Sequence, residues 1–364
     1  MKRSAVTTVV AVVFAMVLAA CGSKSSPSSA GSSSAGPSSA SSSSAGSSSA
    51  GPSAAGSSTS GSSIAGSGSA GSTGAATKLS VGSSPAILNV SLYYAAQSGI
   101  FAKNGLAVTP KVIASGQQAI PQLLNGQIQF AASDPVGVIN AIAHNLAVEF
   151  VAPAGFPGAN PAGDITGLLV KSSITKASDL NGKTVAVNAI GGILQLAAES
   201  VIDSSGGNSS SIKFVVLSLP QMAAAVKAGT VDGAVASEPF LSQGVKAGLK
   251  DLSSVAATAA PEVPTVVYMT SKSYATSHPD IVKSFAASLM EANTYLTAHP
   301  EEIRTVAVKS TGTSADILAG IQLPAFKPEP LSLDALNQLQ TLMVKYKLLD
   351  KPIDLSADLA KTGN

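Results

Sequence analysis

Everything after residue 77 reads as an α/β fold. Short β-prone runs at 79–81, 108–113, 130–132, 148–151, 167–170, 185–187, 214–217 and 234–236 alternate with helix-length segments, an order that builds mostly parallel sheets. The helices between them start near Ser91, Gln117, Pro135, Gly191, Pro220 and Pro239, the last three opening with Gly or Pro. This part holds about 287 of the 364 residues, enough for a substantial core and better suited to two lobes than to one. In sheets of this kind ligands bind beyond the carboxyl ends of the strands, where the first turns of the following helices present unpaired amides.

Two parts of different composition precede the folded body. Lys2 and Arg3 stand before an uncharged apolar run over 5–20, the layout of a secretory signal and too short for a membrane span. The run closes with Leu18-Ala19-Ala20-Cys21 and Gly22, which resembles the lipobox of bacterial lipoproteins. That resemblance implies a signal peptide over 1–20, a diacylglyceryl thioether on Cys21 and, with two or three acyl chains, stable anchoring to the outer leaflet of the cell membrane. The alternative is an ordinary secreted protein whose single Cys falls at the cleavage point by chance.

From 22 to 77, 48 residues are Ser, Gly or Ala, too little apolar surface to offset chain entropy. As a Gly/Ser coil the segment has an end-to-end distance of roughly 40 Å, so it reads as a tether, either plain or O-glycosylated. Of the 22 basic residues three (Lys2, Arg3 and Lys24) precede the body, which leaves 19 against 20 acids. This near-neutral balance gives no ground for a nucleic-acid partner. With one Cys in the chain, an intrachain disulfide, a cysteine metal site and a thiol nucleophile in the body are excluded. The three dispersed His residues show no metal-ligand spacing.

The C-terminal third changes character. His278-Pro279-Asp280 and His299-Pro300-Glu301-Glu302 each look like an N-cap, a Pro at the first helical position and acid in the first turn. Two helices are therefore predicted, over 279–297 and 300–309, the first with an apolar stripe of Ile281, Phe285, Leu289 and Ala292. His278 and His299 are expected to act as caps, and His144 to sit solvated at a helix end.

Several segments then fall in an order that resembles the bacterial solute-binding proteins of the nitrate, sulfonate, taurine and thiamine-precursor group. They are Ser98-Gly99-Ile100-Phe101 with Gly105-Leu106; Ser115-Gly116-Gln117; Gly126-Gln127-Ile128-Gln129-Phe130-Ala131; and Asp179-Leu180-Asn181-Gly182-Lys183-Thr184-Val185. Gly229-Thr230-Val231-Asp232-Gly233-Ala234 and Ser237-Glu238-Pro239-Phe240 complete the set, with Gln129 standing where the family usually has an acid. The resemblance covers nearly all of 78–364. It implies a type II periplasmic-binding-protein fold with lobe 1 from 78–168 plus 266–364, lobe 2 from 169–265, and a ligand cleft between them. It also implies an ABC importer's binding component, monomeric, without cofactor or catalysis, handing a small-molecule ligand to a permease.

The candidate ligand contacts are polar positions just past strand ends. Ser83, Ser84 and Asn89 follow the first strand, where they serve equally well as turn residues. Tyr93 lies in the helix beyond and is read either as cleft-facing or as packing. Ser115, Gly116 and Gln117 open a helix whose amides suit an anionic group. Ser133 and Asp134 follow the third strand; Asp134 before Pro135 also reads as an N-cap. Asn188, Ile190, Gly191 and Gly192 join a strand to a helix with glycines that allow close backbone approach, but without the Lys-Ser/Thr of a nucleotide loop. Glu238 before Pro239 suits either an amine-bearing ligand or another helix cap.

Within the binding reading a nitrate-, sulfonate- or taurine-like ligand competes with an aminopyrimidine thiamine precursor, which Glu238 and Tyr93 would suit. A lipid-anchored sensor is a second reading. A third is a cleft enzyme of a related fold, opposed by the lack of a body Cys and of any paired-carboxylate or Ser-His-Asp spacing.

Overall fold

A computed structural model describes residues 75–158 and 164–362. Cys21 and the segments expected as signal peptide and most of the tether lie outside them. The strands in chain order are β1 (Thr77–Ser83), β2 (Leu106–Val112), β3 (Phe130–Ser133), β4 (Val148–Pro153), β5 (Gly155–Phe156), β6 (Thr166–Val170), β7 (Thr184–Val187), β8 (Lys213–Val216), β9 (Gly233–Ser237), β10 (Lys250–Ser254), β11 (Val267–Ser271) and β12 (Ala325–Phe326). Two of them, β5 and β12, form a small antiparallel ribbon; the others make two five-stranded sheets.

Both sheets follow one plan. The first has the order β2-β1-β3-β11-β4 and the second, read from the opposite edge, β8-β7-β9-β6-β10. In each, the strand second from the edge pairs in parallel with the edge strand and with the middle one: β1 with β2 and β3, β7 with β8 and β9. In each, one strand runs against its neighbours, β11 in the first and β6 in the second. These are the strands by which the chain arrives from the other sheet. Because β6 pairs in the second sheet from Thr166 onward, the chain has crossed before the boundary expected at residue 168.

All eight strand runs read from the sequence form strands, most of them a residue or two longer. β11 escapes that reading because Ser271 passes straight into the helix Lys272–Ser277 as its N-cap, accepting from the Tyr274 amide, with no turn residues to mark the strand. The helix expected near Gly191 starts at Ile193, since Gly191 takes a left-handed φ of 68°. His278 and His299 do stand at N-cap positions, yet neither side chain caps. Each ring instead stacks on a Tyr one turn earlier, Tyr274 at 4.5 Å and Tyr295 at 4.3 Å between centroids. His144 ends the helix Pro135–Ala143 with its Nδ1 2.8 Å from the Asn140 carbonyl.

The helix Pro279–Ala298 covers one face of the first sheet. Its Phe285 ring stacks on Phe130 at 3.9 Å and on Phe101 at 5.5 Å, and meets Tyr268 edge-on at 5.7 Å. The other face of that sheet opens into a core that continues without a break into the second sheet: Ile120, Val136, Ile139 and Phe150 on one side, Leu168, Val185, Leu194 and Ile202 on the other, closed by Leu336, Leu339 and Met343 of the helix Leu333–Lys345. The carboxyl ends of the parallel strands are thus held toward a common gap.

Phe285 is the ring that joins three others, so Phe285→Ala is expected to cost about 3–5 kcal/mol in urea unfolding; a loss below about 1 kcal/mol would show that the cluster is not the anchor of this sheet.

Candidate functional site

A cavity of about 520 Å³ lies between the two sheets' strand ends. Its wall is assembled from matched positions. Ser84 follows β1 and Asn188 follows β7; Ser133 and Ser237 end β3 and β9; Ser115 and Ser218 precede the helices that follow β2 and β8. The edge strands contribute Val112 and Val216, which pair with Ser83 and Val187, the last residues of β1 and β7. Around this set stand Leu88, Ile113, Leu194, Leu217, Leu219 and Phe240.

Local chemistry explains several of these positions. Ser115 caps the helix Gly116–Leu124, its Oγ accepting from the Gln118 amide at 3.4 Å. A side chain at Gly116 would bring Cβ to 2.3 Å from the Ser133 side chain, so the backbone there passes against β3 only as glycine. Asn89 donates from Nδ2 to the Ser84 carbonyl at 3.0 Å and to the Ser84 hydroxyl at 3.2 Å, which fixes the turn after β1. Ser218 donates to Gln221 Oε1 at 2.8 Å.

Two acids precede Pro at equivalent places, Asp134 after β3 and Glu238 after β9. Asp134 Oδ1 accepts from the Gly137 amide at 2.9 Å, capping its own helix, and from the Ile193 amide at 3.1 Å, at the first turn of a helix that follows β7. Loss of hydration raises this carboxyl above the usual range, against the pull of those two amides. Glu238 is buried and accepts from the Ser242 amide at 3.1 Å and the Ser242 hydroxyl at 2.7 Å. Burial raises its carboxyl too.

Of the positions singled out in the sequence, Ser84, Asn89, Ser115, Gly116, Ser133, Asp134 and Asn188 line the cavity. Ser83 is fully buried behind it, bonding the Ser84 carbonyl. Tyr93 packs in a separate apolar cluster with Ile87 and Leu296, its phenol raised by burial and drawn down by the Ser83 hydroxyl. Gln117 and the 190–192 loop meet each other across the gap: Gln117 Nε2 donates to the Ile190 carbonyl at 3.4 Å, and Asn140 Nδ2 to that of Gly191 at 3.4 Å. Gly192 lies beside Asp134. Glu238 acts as a helix-start carboxylate turned to Ser242, while its neighbours Ser237 and Phe240 face the cavity. The apolar wall, Val112 and Val216 above all, was not singled out, because a Val at a strand end reads as core.

The fold and this interlobe cavity define the two-lobed periplasmic-binding-protein class. The chain belongs to the family described as NMT1/THI5 like, whose sequence profile matches residues 89–303. It is 30% identical over 197 residues to the taurine-binding periplasmic protein of Escherichia coli K12, an alignment spanning 53% of this chain and 58% of that relative. Among solved structures it resembles the alkanesulfonate-binding protein SsuA from Xanthomonas axonopodis pv. citri bound to MOPS, with a TM-score of 0.64 at 20% identity over 78% of this chain and 98% of that one. The periplasmic nitrate-binding protein NrtA from Synechocystis has the same fold, with a TM-score of 0.63 at 15% identity over 78% and 84%.

Asp134→Ala removes an acceptor shared by two helix starts and is expected to cost about 1–2 kcal/mol, whereas Asp134→Asn keeps an accepting oxygen. Folding raises the Asp134 carboxyl, so its contribution to stability is lost as pH rises from the ordinary carboxylate range through the raised value, and is flat above. The stability of Asp134→Asn relative to wild type is therefore expected to grow over that window. Urea titrations at a series of pH values check both statements, and a relative gain by wild type over the same window would reverse the assignment.

Proposed function

We propose that this protein is the solute-binding component of an ABC importer, held outside the membrane by lipid on Cys21, and that it captures a small sulfonate-like solute by closing its two lobes. The observation that carries this reading is the cavity wall, to which both lobes bring the same set of strand-end positions. A solute touching both sets favours the closed arrangement, since it gains contacts there that an open cleft lacks. The contacts we assign are Ser84, Asn89, Ser115, Gly116, Ser133 and Asn188. Family membership and the relatives' own ligands support the role, and the two lobes, each built on one five-stranded sheet, are the division that closure would use.

The aminopyrimidine alternative loses its main support, because Glu238 is engaged by Ser242 and Tyr93 packs outside the cavity. Binding without turnover is supported by the family and by relatives that are named as binding proteins. The tether over 22–77 would then let the body reach a permease from its anchor.

Thermal unfolding of the full-length chain, in detergent and freed of carried-over solute, against nitrate, bicarbonate, taurine, alkanesulfonates and aminopyrimidines tests the role. One class is expected to give a saturable rise of about 2.7 kcal/mol at a hundred times its Kd, with the solute recovered intact; consumption of the solute would point to an enzyme, and no rise with any class would remove the importer reading. Cys21→Ser is expected to move the protein from the membrane fraction to the medium, and an unchanged membrane fraction would overturn the anchor.

A further inference from the structure

Resting on the solute-binding reading, we propose that Val112 and Val216 form an apolar clasp that selects an organic solute with an extended alkyl or aryl body over nitrate and over taurine. Three observations carry this. The first is the symmetry of the pair. Val112 is the last residue of edge strand β2 and Val216 the last of edge strand β8, each paired with the last residue of the neighbouring strand, β1 or β7. One comes from each lobe, and both line the same cavity.

The second is their exposure. Val112 is 77% and Val216 58% accessible, while other apolar members of the wall, Leu88, Ile113, Ile193, Leu194 and Phe240 among them, are buried or partly so. One exposed Val on a surface needs no explanation. Two at matched positions on the rim of one cavity leave apolar surface that a solute body covers from both sides.

The third is the size and chemistry of the wall. A cavity of about 520 Å³ falls in the range of organic ligand sites and leaves most of its space unfilled by an inorganic oxyanion. Among the described residues no Lys, Arg or His lines it, and Asp134 is its sole carboxylate. Asp134 Oδ1 already accepts two amides. An ammonium group placed among Val112, Val216, Leu194 and Leu217 would lose hydration, and the wall offers its charge one partner, the Asp134 carboxylate, whose Oδ1 is already shared by two amides. A methylene chain or ring in the same place gains on leaving water.

Isothermal titration of the full-length chain with methanesulfonate, butanesulfonate, hexanesulfonate, benzenesulfonate, taurine and nitrate reads the selection. Affinity is expected to rise about threefold to fourfold per added methylene until the cavity is filled, with taurine at least tenfold weaker than butanesulfonate. Val112→Asn and Val216→Asn, at exposed positions where folding is retained, are each expected to weaken hexanesulfonate about tenfold and to leave methanesulfonate within about twofold, a split that a merely structural effect would not give. Taurine or nitrate binding more tightly than hexanesulfonate would overturn the clasp and leave the importer reading standing; in the taurine case Asp134 would be the group to examine as its ammonium partner. Equal losses for the short and long sulfonates in the two variants would also overturn it. Silence from all six solutes would remove the clasp and the sulfonate assignment together.

Discussion

The Oδ1 oxygen of Asp134 accepts the Gly137 amide from its own lobe and the Ile193 amide from the other, at 2.9 and 3.1 Å, and the geometry of the cavity depends on this shared acceptor. Two helix starts carry partial positive charge, and one partly buried carboxylate answers both. The rise of its pKa is the cost of holding that charge away from water, offset by the two N–H donors. Gln117 and Asn140 add weaker bonds to the carbonyls of Ile190 and Gly191, so the loop after β7 is fastened to the first lobe along its length. The wall on either side of this seam is thereby brought to face itself.

What faces itself is a repeated pattern. Two sheets of like strand order present like residues at like places: Ser84 and Asn188, Val112 and Val216, Ser133 and Ser237, Ser115 and Ser218. Even the acids before Pro repeat, but they diverge in use. Asp134 reaches across to Ile193, whereas Glu238, one methylene longer, folds onto Ser242 in its own helix. Among the described residues the wall therefore keeps one carboxylate, Asp134, amid hydroxyl, amide and apolar groups.

Much of this plan was legible in the sequence because it rests on local rules. The alternation of β-prone and helical runs gave the strands, and Asp134-Pro135 and Ser115-Gly116 announced helix starts that form where expected. Contacts between residues far apart in the chain were not legible. Nothing near Asp134 tells that its oxygen meets residue 193, or that the Gly191 carbonyl, in a loop read as suited to a ligand, accepts from Asn140 of the other lobe. His278 and His299 sit at cap positions but stack on Tyr274 and Tyr295, because a ring one turn away offers more contact than the exposed helix start. Val112 and Val216 carry no signal at all, since a strand-end Val looks the same whether it faces core or cleft.

The two crossings between lobes are themselves tied together. Asp164, on the first crossing, accepts from the Thr166 amide and hydroxyl at 3.0 and 2.9 Å and from the Ala257 amide of the second crossing at 2.8 Å. Thr166 Oγ1 in turn accepts from Ala256 at 3.0 Å. Nearer the first sheet, the amides of Thr265 and Val266 both donate to the Gly155 carbonyl, and Gly155 passes so close to Leu88 that a Cβ there would lie 2.6 Å from its side chain. The crossings are thus cross-linked at two levels, Asp164 with Ala257 and Gly155 with Thr265 and Val266.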